Sequence, residues 1–462
     1  MTEPLISIYY FFVLVGMLFT FYRVGVNRIS ILIVLIFWQG IFEYLSIIWG
    51  MPLIFKGYKI FVVVYAILLS WKKMYRLFNI NDLVIDIIFV LFSGSFWVTY
   101  LIYGGALLTI LSQYLFKYGS VWILYHCFKD ITYNIPKREY IKRVLLAILL
   151  AQIALSFLKL IFWGAEKEGI VGSITASSGS PAVVIPILAL IFYWLIRDGR
   201  FNRKKDWFIA LSILVIAFAS GKRQPIAIYP GVMVILFVFA GKSFRPVTLM
   251  KYIPIALMFF YIGVRMTPTI TPEKVIGGSF DLSFVRDYAM KYYFGTTKLS
   301  DILSDDYTPY GRGSGLVCYF QPRRLTLESD KELLFGKGRY EAAIGKYGRI
   351  TATSRSDYGI QHSGLIGEAG AMLYSFGYVG TFFMLLLAVT IIFSLNNRKL
   401  AFVIFILFLW DFLFYYNQVI YLNSAAVIVL FSINYSNSLF RKKIRFTLRF
   451  QLSKKSFKPK EA

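Results

Sequence analysis

Residues 83–103 read LVIDIIFVLFSGSFWVTYLIY, an apolar run long enough to cross a hydrocarbon core as a helix. Runs of this kind recur along nearly the whole chain, beginning with Ile6 to Tyr22. Hydrophobic residues make up 58% of the 462 and charged residues only 16%, where a soluble globular chain carries about a quarter. The composition therefore predicts an all-α polytopic membrane protein. The first run passes directly into another, so it reads as a retained span and not a cleaved signal.

The expected spans are 4–22, 29–49, 52–70, 83–103, 105–126, 144–163, 182–196, 207–220, 225–240, 246–264, 372–395, 400–416 and 418–436, about thirteen transmembrane helices. The tail RKKIRFTLRFQLSKKSFKPK (441–460) is the most basic segment and is expected in the cytoplasm. Counting backwards, NNRK, GKSFR, RDGRFNRKKD, KDITYNIPKREYIKR, WKKMYR and RVGVNR alternate onto that same side. This predicts a multi-pass bacterial inner-membrane protein, with a periplasmic N-terminus, a cytoplasmic C-terminus and an active site on the periplasmic side. Four regions result: helices in 1–264, an extracytoplasmic subdomain in 265–371, helices in 372–436, and a basic tail in 437–462.

The formal charge of +26 sits mostly between spans, as expected beside anionic lipid, so nucleic acid is not an expected partner. Cys127 and Cys318 fall on opposite faces of this topology and should not pair; two thiols form no metal cluster, and neither a metal nor a cofactor is expected.

Lys222 and Arg223 break the charge bias. They lie between two apolar stretches on the outer side, and the stretch before them spans only ~21 Å as a helix. Cations at that depth face a cavity and meet an anion, or snorkel to headgroups. Arg265 ends a span on the same face, either as a second anion contact or as an interfacial anchor. Guanidinium forks match phosphate oxygens, and Lys222 adds a point charge. Further on, His362 precedes Glu368 by six residues near the mouth of the next span. Imidazole and carboxylate are suited to take a proton from a hydroxyl; the structural alternatives are a loop histidine and a helix N-terminal carboxylate. LSFVRDYAMKYYFGTTKLSDIL (282–303) is expected to be helical and to lie along the membrane surface.

FGKG (335–338), HSGLIGEAG (362–370) and YSFGYVG (374–380), with one long late loop, together resemble the O-antigen ligase and Wzy-type polysaccharide polymerase superfamily over roughly residues 165–395. The small-residue loop at 172–190 and the basic turn SGKRQP fit the same pattern. The resemblance implies a metal-independent, inverting glycosyltransferase that polymerises undecaprenyl-diphosphate-linked repeat units, with that lipid-linked glycan as donor and acceptor. Membrane lipid and a chain-length regulator protein are the further partners. Carried onto this chain, Lys222, Arg223 and Arg265 would bind the diphosphate, with Arg223, His362 and Glu368 catalytic. Arg286, Arg312, Arg339 and Tyr340 would be glycan contacts. Ser363 follows His362 where the ligases commonly carry Asn, which favours polymerase over ligase. Two other classes stand beside it. Glu43, Lys56, Lys59, Lys117 and Asp411 fall inside or at the edge of spans, as a flippase or transporter would place them; a non-enzymatic scaffold is the other.

Overall fold

The computed structural model describes residues 3–74, 83–104, 107, 110–111, 114–132, 135–163, 172–173, 204–219, 246–304, 313–325, 327–338, 367–393 and 398–414. The α-helices there are α1 (Glu3–Val24), α2 (Arg28–Phe37), α3 (Gln39–Ile48), α4 (Pro52–Met74), α5 (Leu83–Tyr103), α6 (Ser120–Thr132), α7 (Ile135–Trp163) and α8 (Lys204–Ala219). They continue as α9 (Pro246–Met266), α10 (Leu282–Phe294), α11 (Leu299–Leu303), α12 (Ser314–Phe320), α13 (Asp330–Phe335), α14 (Gly367–Phe393) and α15 (Arg398–Phe414).

Local chemistry sets the breaks between them. Gly25, at φ 79°, ends α1 with its amide on the Phe21 carbonyl at 2.8 Å. Two residues later the Asn27 carboxamide accepts from the Ile29 and Ser30 amides, each at 2.9 Å, while Ser30 Oγ accepts from the Asn27 amide. This reciprocal cap starts α2.

The main core joins helices early in the chain to α14 and α15. α14 packs on α5 and α15, α1 on α7, and α4 on α3 and α6. At its heart Phe92 and Phe96 of α5 meet Tyr118 and Phe376, with ring centroids 5.3–6.1 Å apart across these contacts. Such offset and edge-on pairs add about 0.5–1.5 kcal/mol each beyond their burial.

The expectation of thirteen transmembrane helices is corrected here. Among the described residues four helical stretches are long and apolar enough to cross a membrane: Ile6–Val24, Leu83–Tyr103, Arg143–Phe162 and Gly367–Phe393. A fifth is gained only if α2 and α3, bent by 52°, count as one. The physical reasons are specific. The expected span 29–49 is two helices; in the expected span 105–126 residues 114–119 wind as a π-helix ahead of α6. α8 and α15 have 16 and 17 residues. In α9 the apolar helix Ile253–Met266 is too short to cross. The expected spans 182–196, 225–240 and 418–436 lie outside the described residues.

The orientation falls with the span count. The alternation of basic loops depended on the parity of thirteen crossings, and so did the multi-pass inner-membrane placement with its periplasmic N-terminus and cytoplasmic C-terminus. The fold is a helical one with four or five candidate spans among the described residues.

Between α9 and α14 the described chain forms short helices. α10 covers the first part of the helix expected over 282–303; it is capped by Asp281 and stopped by Gly295 at φ 77°. α12 and α13 pack on α14.

Candidate functional site: an ionisable cluster at a helix break

The α2–α3 break at Trp38 frees backbone groups inside the core, where each needs a partner. Residues 172 and 173 supply them. The Ser173 hydroxyl donates to the Phe37 carbonyl at 2.7 Å, and the Gly40 amide donates to the Ser173 carbonyl at 2.8 Å. Gln152 of α7 holds Ser173 in turn: its Oε1 accepts from the Ser173 amide at 2.9 Å and its Nε2 donates to the Ser173 hydroxyl. The Trp38 indole donates to the Val13 carbonyl at 3.0 Å, and the Tyr9 hydroxyl to the Gly172 carbonyl at 3.2 Å. A broken helix whose freed groups find partners is the form in which irregular chain persists within apolar surroundings.

Charge gathers at this break. Lys159 of α7 is 9% exposed and sets its ammonium over the Tyr9 ring, 5.0 Å from the centroid. Lys59 of α4 lies over the Phe55 ring at 4.1 Å. Glu43 of α3 interacts electrostatically with both ammonium groups and with the Tyr10 phenol. Tyr10 stacks on Tyr44 at 3.7 Å, and Tyr44 shares a hydrogen bond of 2.9 Å with Ser7. Among the described residues, these two ammonium groups and one carboxylate leave one positive charge in excess. Removing an ammonium from water costs several kcal/mol, which aromatic faces and a shared carboxylate offset only in part. The arrangement is suited to take up an anionic group.

A second buried polar centre joins α5 and α6. Asp86, 2% exposed, accepts from the Trp122 indole at 2.9 Å and lies 2.8 Å from His126 Nε2 on the same oxygen. It sits in the first turn of α5, where the helix dipole favours a negative charge.

The residues singled out in the sequence are distributed differently. Lys222, Arg223, Arg312, Arg339, Tyr340 and His362 lie outside the described residues. Arg265 turns back on its own chain: Nε donates to the Gly278 carbonyl at 2.9 Å and Nη2 to the Gly277 carbonyl at 2.7 Å. Arg286 pairs with its neighbour Asp287 at 2.8 Å on the surface. Glu368 is 1% exposed in the first turn of α14, after Gly367 at φ 72°. Close by, Tyr319 donates to the Ala369 carbonyl at 2.9 Å. Burial pushes the Tyr319 phenol well above its ordinary range, and the Glu368 charge adds to this.

FGKG and YSFG do meet, through backbone. The Lys337 amide donates to the Tyr374 carbonyl at 2.7 Å and the Gly338 amide to the Ser375 carbonyl at 3.0 Å. α14 bends there at Gly377, whose φ of 61° and ψ of −164° only glycine adopts readily. The Thr99 hydroxyl fixes the Phe335 carbonyl at 2.6 Å.

Glu43 and Lys59 were visible in the sequence as ionisable residues within apolar runs. Lys159 and Asp86 were missed, although each carries the same signal, an isolated charge in such a run. Nothing local in the sequence marks Ser173 or Gln152, whose roles arise from contact across the fold.

No protein-family model, no curated protein and no solved structure matches this chain. The resemblance to the O-antigen ligase and Wzy-type superfamily is therefore corrected: the span count does not fit it and no family model supports it. The polymerase reading falls with the polytopic frame it assumed, as do its ligase and flippase variants.

Proposed function

We propose that this chain is a membrane-embedded binding protein that takes an anionic group at the cluster of Glu43, Lys59 and Lys159. The observation that carries the reading is Lys159, buried beside a helix break within a stretch apolar enough to span a membrane. Ionisable side chains at such depth are rare, and they mark ligand or ion sites. Membrane embedding is supported by the outward faces of the candidate spans. Phe11 and Leu18 of α1, Leu101 of α5 and Phe382 of α14 are each more than half exposed. Large apolar side chains exposed on several candidate spans call for lipid or a partner.

The test uses the full chain in lipid nanodiscs, with thermal unfolding followed against acetate, inorganic phosphate and pyrophosphate. At least one anion is expected to raise the midpoint saturably, since a ligand at a hundredfold its Kd adds about 2.7 kcal/mol. Lys159→Met is expected to abolish the rise, and Lys331→Met, at an exposed lysine elsewhere, to leave it intact. No saturable rise with any of the three anions overturns the reading; a rise that survives Lys159→Met overturns the assignment of the site.

A further inference from the structure

The segment from Arg265 to Ser279 is a closed loop built to hold two aliphatic side chains outward. The Arg265 guanidinium grips the Gly277 and Gly278 carbonyls, and the Gly277 amide donates back to the Arg265 carbonyl at 2.7 Å. Inside the loop the Thr271 hydroxyl bridges the Pro268 and Val275 carbonyls at 3.0 and 3.2 Å. Glu273 accepts from the Ser279 amide at 2.9 Å and from its hydroxyl. At the tip Lys274 stands at φ 56°, a conformation L residues rarely adopt and the one positive φ at a non-glycine among the described residues. Strain of this kind persists only where the surroundings over-determine it. The result is that Val275 and Ile276 are 52% and 61% exposed, beside an exposed lysine.

The occupant follows from position and charge. The loop leaves directly from α9, whose Leu257, Met258, Ile262 and Met266 are also exposed, so the apolar surface continues from that helix onto the tip. The acid nearest the tip, Glu273, is engaged by Ser279, which leaves Lys274 to face an outside anion. We infer that residues 274–276 insert into the interface of an acidic phospholipid bilayer, Val275 and Ile276 at the acyl boundary and Lys274 on the headgroup phosphate. Shallow insertion of an apolar tip flanked by cations is a recurring physical mode of interfacial anchoring. The inference rests on the membrane-embedded reading above.

Spin labels placed at Ile276→Cys, Ser283→Cys and Leu18→Cys, in nanodiscs with and without phosphatidylglycerol, separate the two readings by accessibility to oxygen and to a water-soluble nickel complex. Leu18, exposed on α1, is expected to report the acyl region, Ile276 the interface, and Ser283 water. Adding Lys274→Glu is expected to move the Ile276 label toward water in phosphatidylglycerol and to leave it unchanged in pure phosphatidylcholine. An Ile276 label in water while Leu18 is in lipid overturns the insertion alone; both labels in water overturn the membrane reading with it.

The same loop has a pH dependence. The Glu273 carboxyl is held below its ordinary value of 4.5, first by the Ser279 hydroxyl and then by backbone amides. A depressed carboxyl contributes stability that is present above 4.5 and lost as pH falls through its lowered value. The Ile276 spin label is expected to be immobile at pH 7 and to loosen only below that range. Glu273→Gln is expected to show the loosened spectrum already at neutral pH.

Discussion

Gly377→Ala and Gly336→Ala each severely destabilise the folded protein, read as a large fall of the unfolding midpoint or loss of a monodisperse peak in detergent. A Cβ on Gly377 would overlap the Leu334 carbonyl and lie 2.6 Å from the Leu333 oxygen. One on Gly336 would overlap the Phe376 amide and lie 2.6 Å from the Gly377 nitrogen. These neighbours are backbone, so no rotamer change relieves them. Both glycines hold positive φ, which adds backbone strain of about 1–3 kcal/mol to overpacking of about 1–3 kcal/mol. Against a total stability of about 5–15 kcal/mol either substitution is severe. Gly94→Ala on α5 is the control. Its Cβ would meet nothing within 4 Å, and replacing a helical glycine is expected to gain about 0.5–1 kcal/mol. Ordinary stability in Gly377→Ala would mean that FGKG and YSFG do not interlock.

Ser173→Ala is expected to destabilise by about 2–4 kcal/mol. It removes the donor to the Phe37 carbonyl and the acceptor for Gln152 Nε2 together, and an unsatisfied buried group costs about 1–3 kcal/mol. Gln152→Ala removes the other half of the same network. The double variant is expected to fall short of the sum of the singles by about 0.5–3 kcal/mol, as coupled partners do. The readout is the midpoint of thermal unfolding for the four proteins of the cycle. Additive effects would show that Gln152 and Ser173 do not act as one network at the α2–α3 break.

Several elements were legible before any coordinates. The run 83–103 is α5 to the residue, and the run 144–163 is the apolar part of α7. The helix expected from residue 282 begins there, with Asp281 as its cap. These were readable because length, hydropathy and capping are local. The count of crossings was not, because mean hydropathy is blind to where a helix stops. The run 29–49 is as apolar as an unbroken span, yet it bends at Trp38 once Ser173 can donate to the freed carbonyl. α14 likewise bends at Gly377, where the backbone of residues 333–338 packs closely against it.

The candidate site divides in the same way. Isolated charges in apolar runs were enough to mark Glu43 and Lys59. That Lys159 joins them, through helices α1, α3, α4 and α7, required the packing itself. Arg265 was marked as an anion contact, but its guanidinium faces two carbonyls of its own loop, a partner twelve and thirteen residues away.

By itself the sequence determined that this chain is helical and apolar, where several of its helices begin and end, and which charges stand alone among apolar neighbours. Only the tertiary structure decided how many helices can cross a membrane, which backbone breaks are sustained and which lone charges meet. The reason is physical. Helix formation and hydropathy are properties of consecutive residues, whereas satisfying a freed carbonyl or neutralising a buried ammonium needs groups distant in the chain.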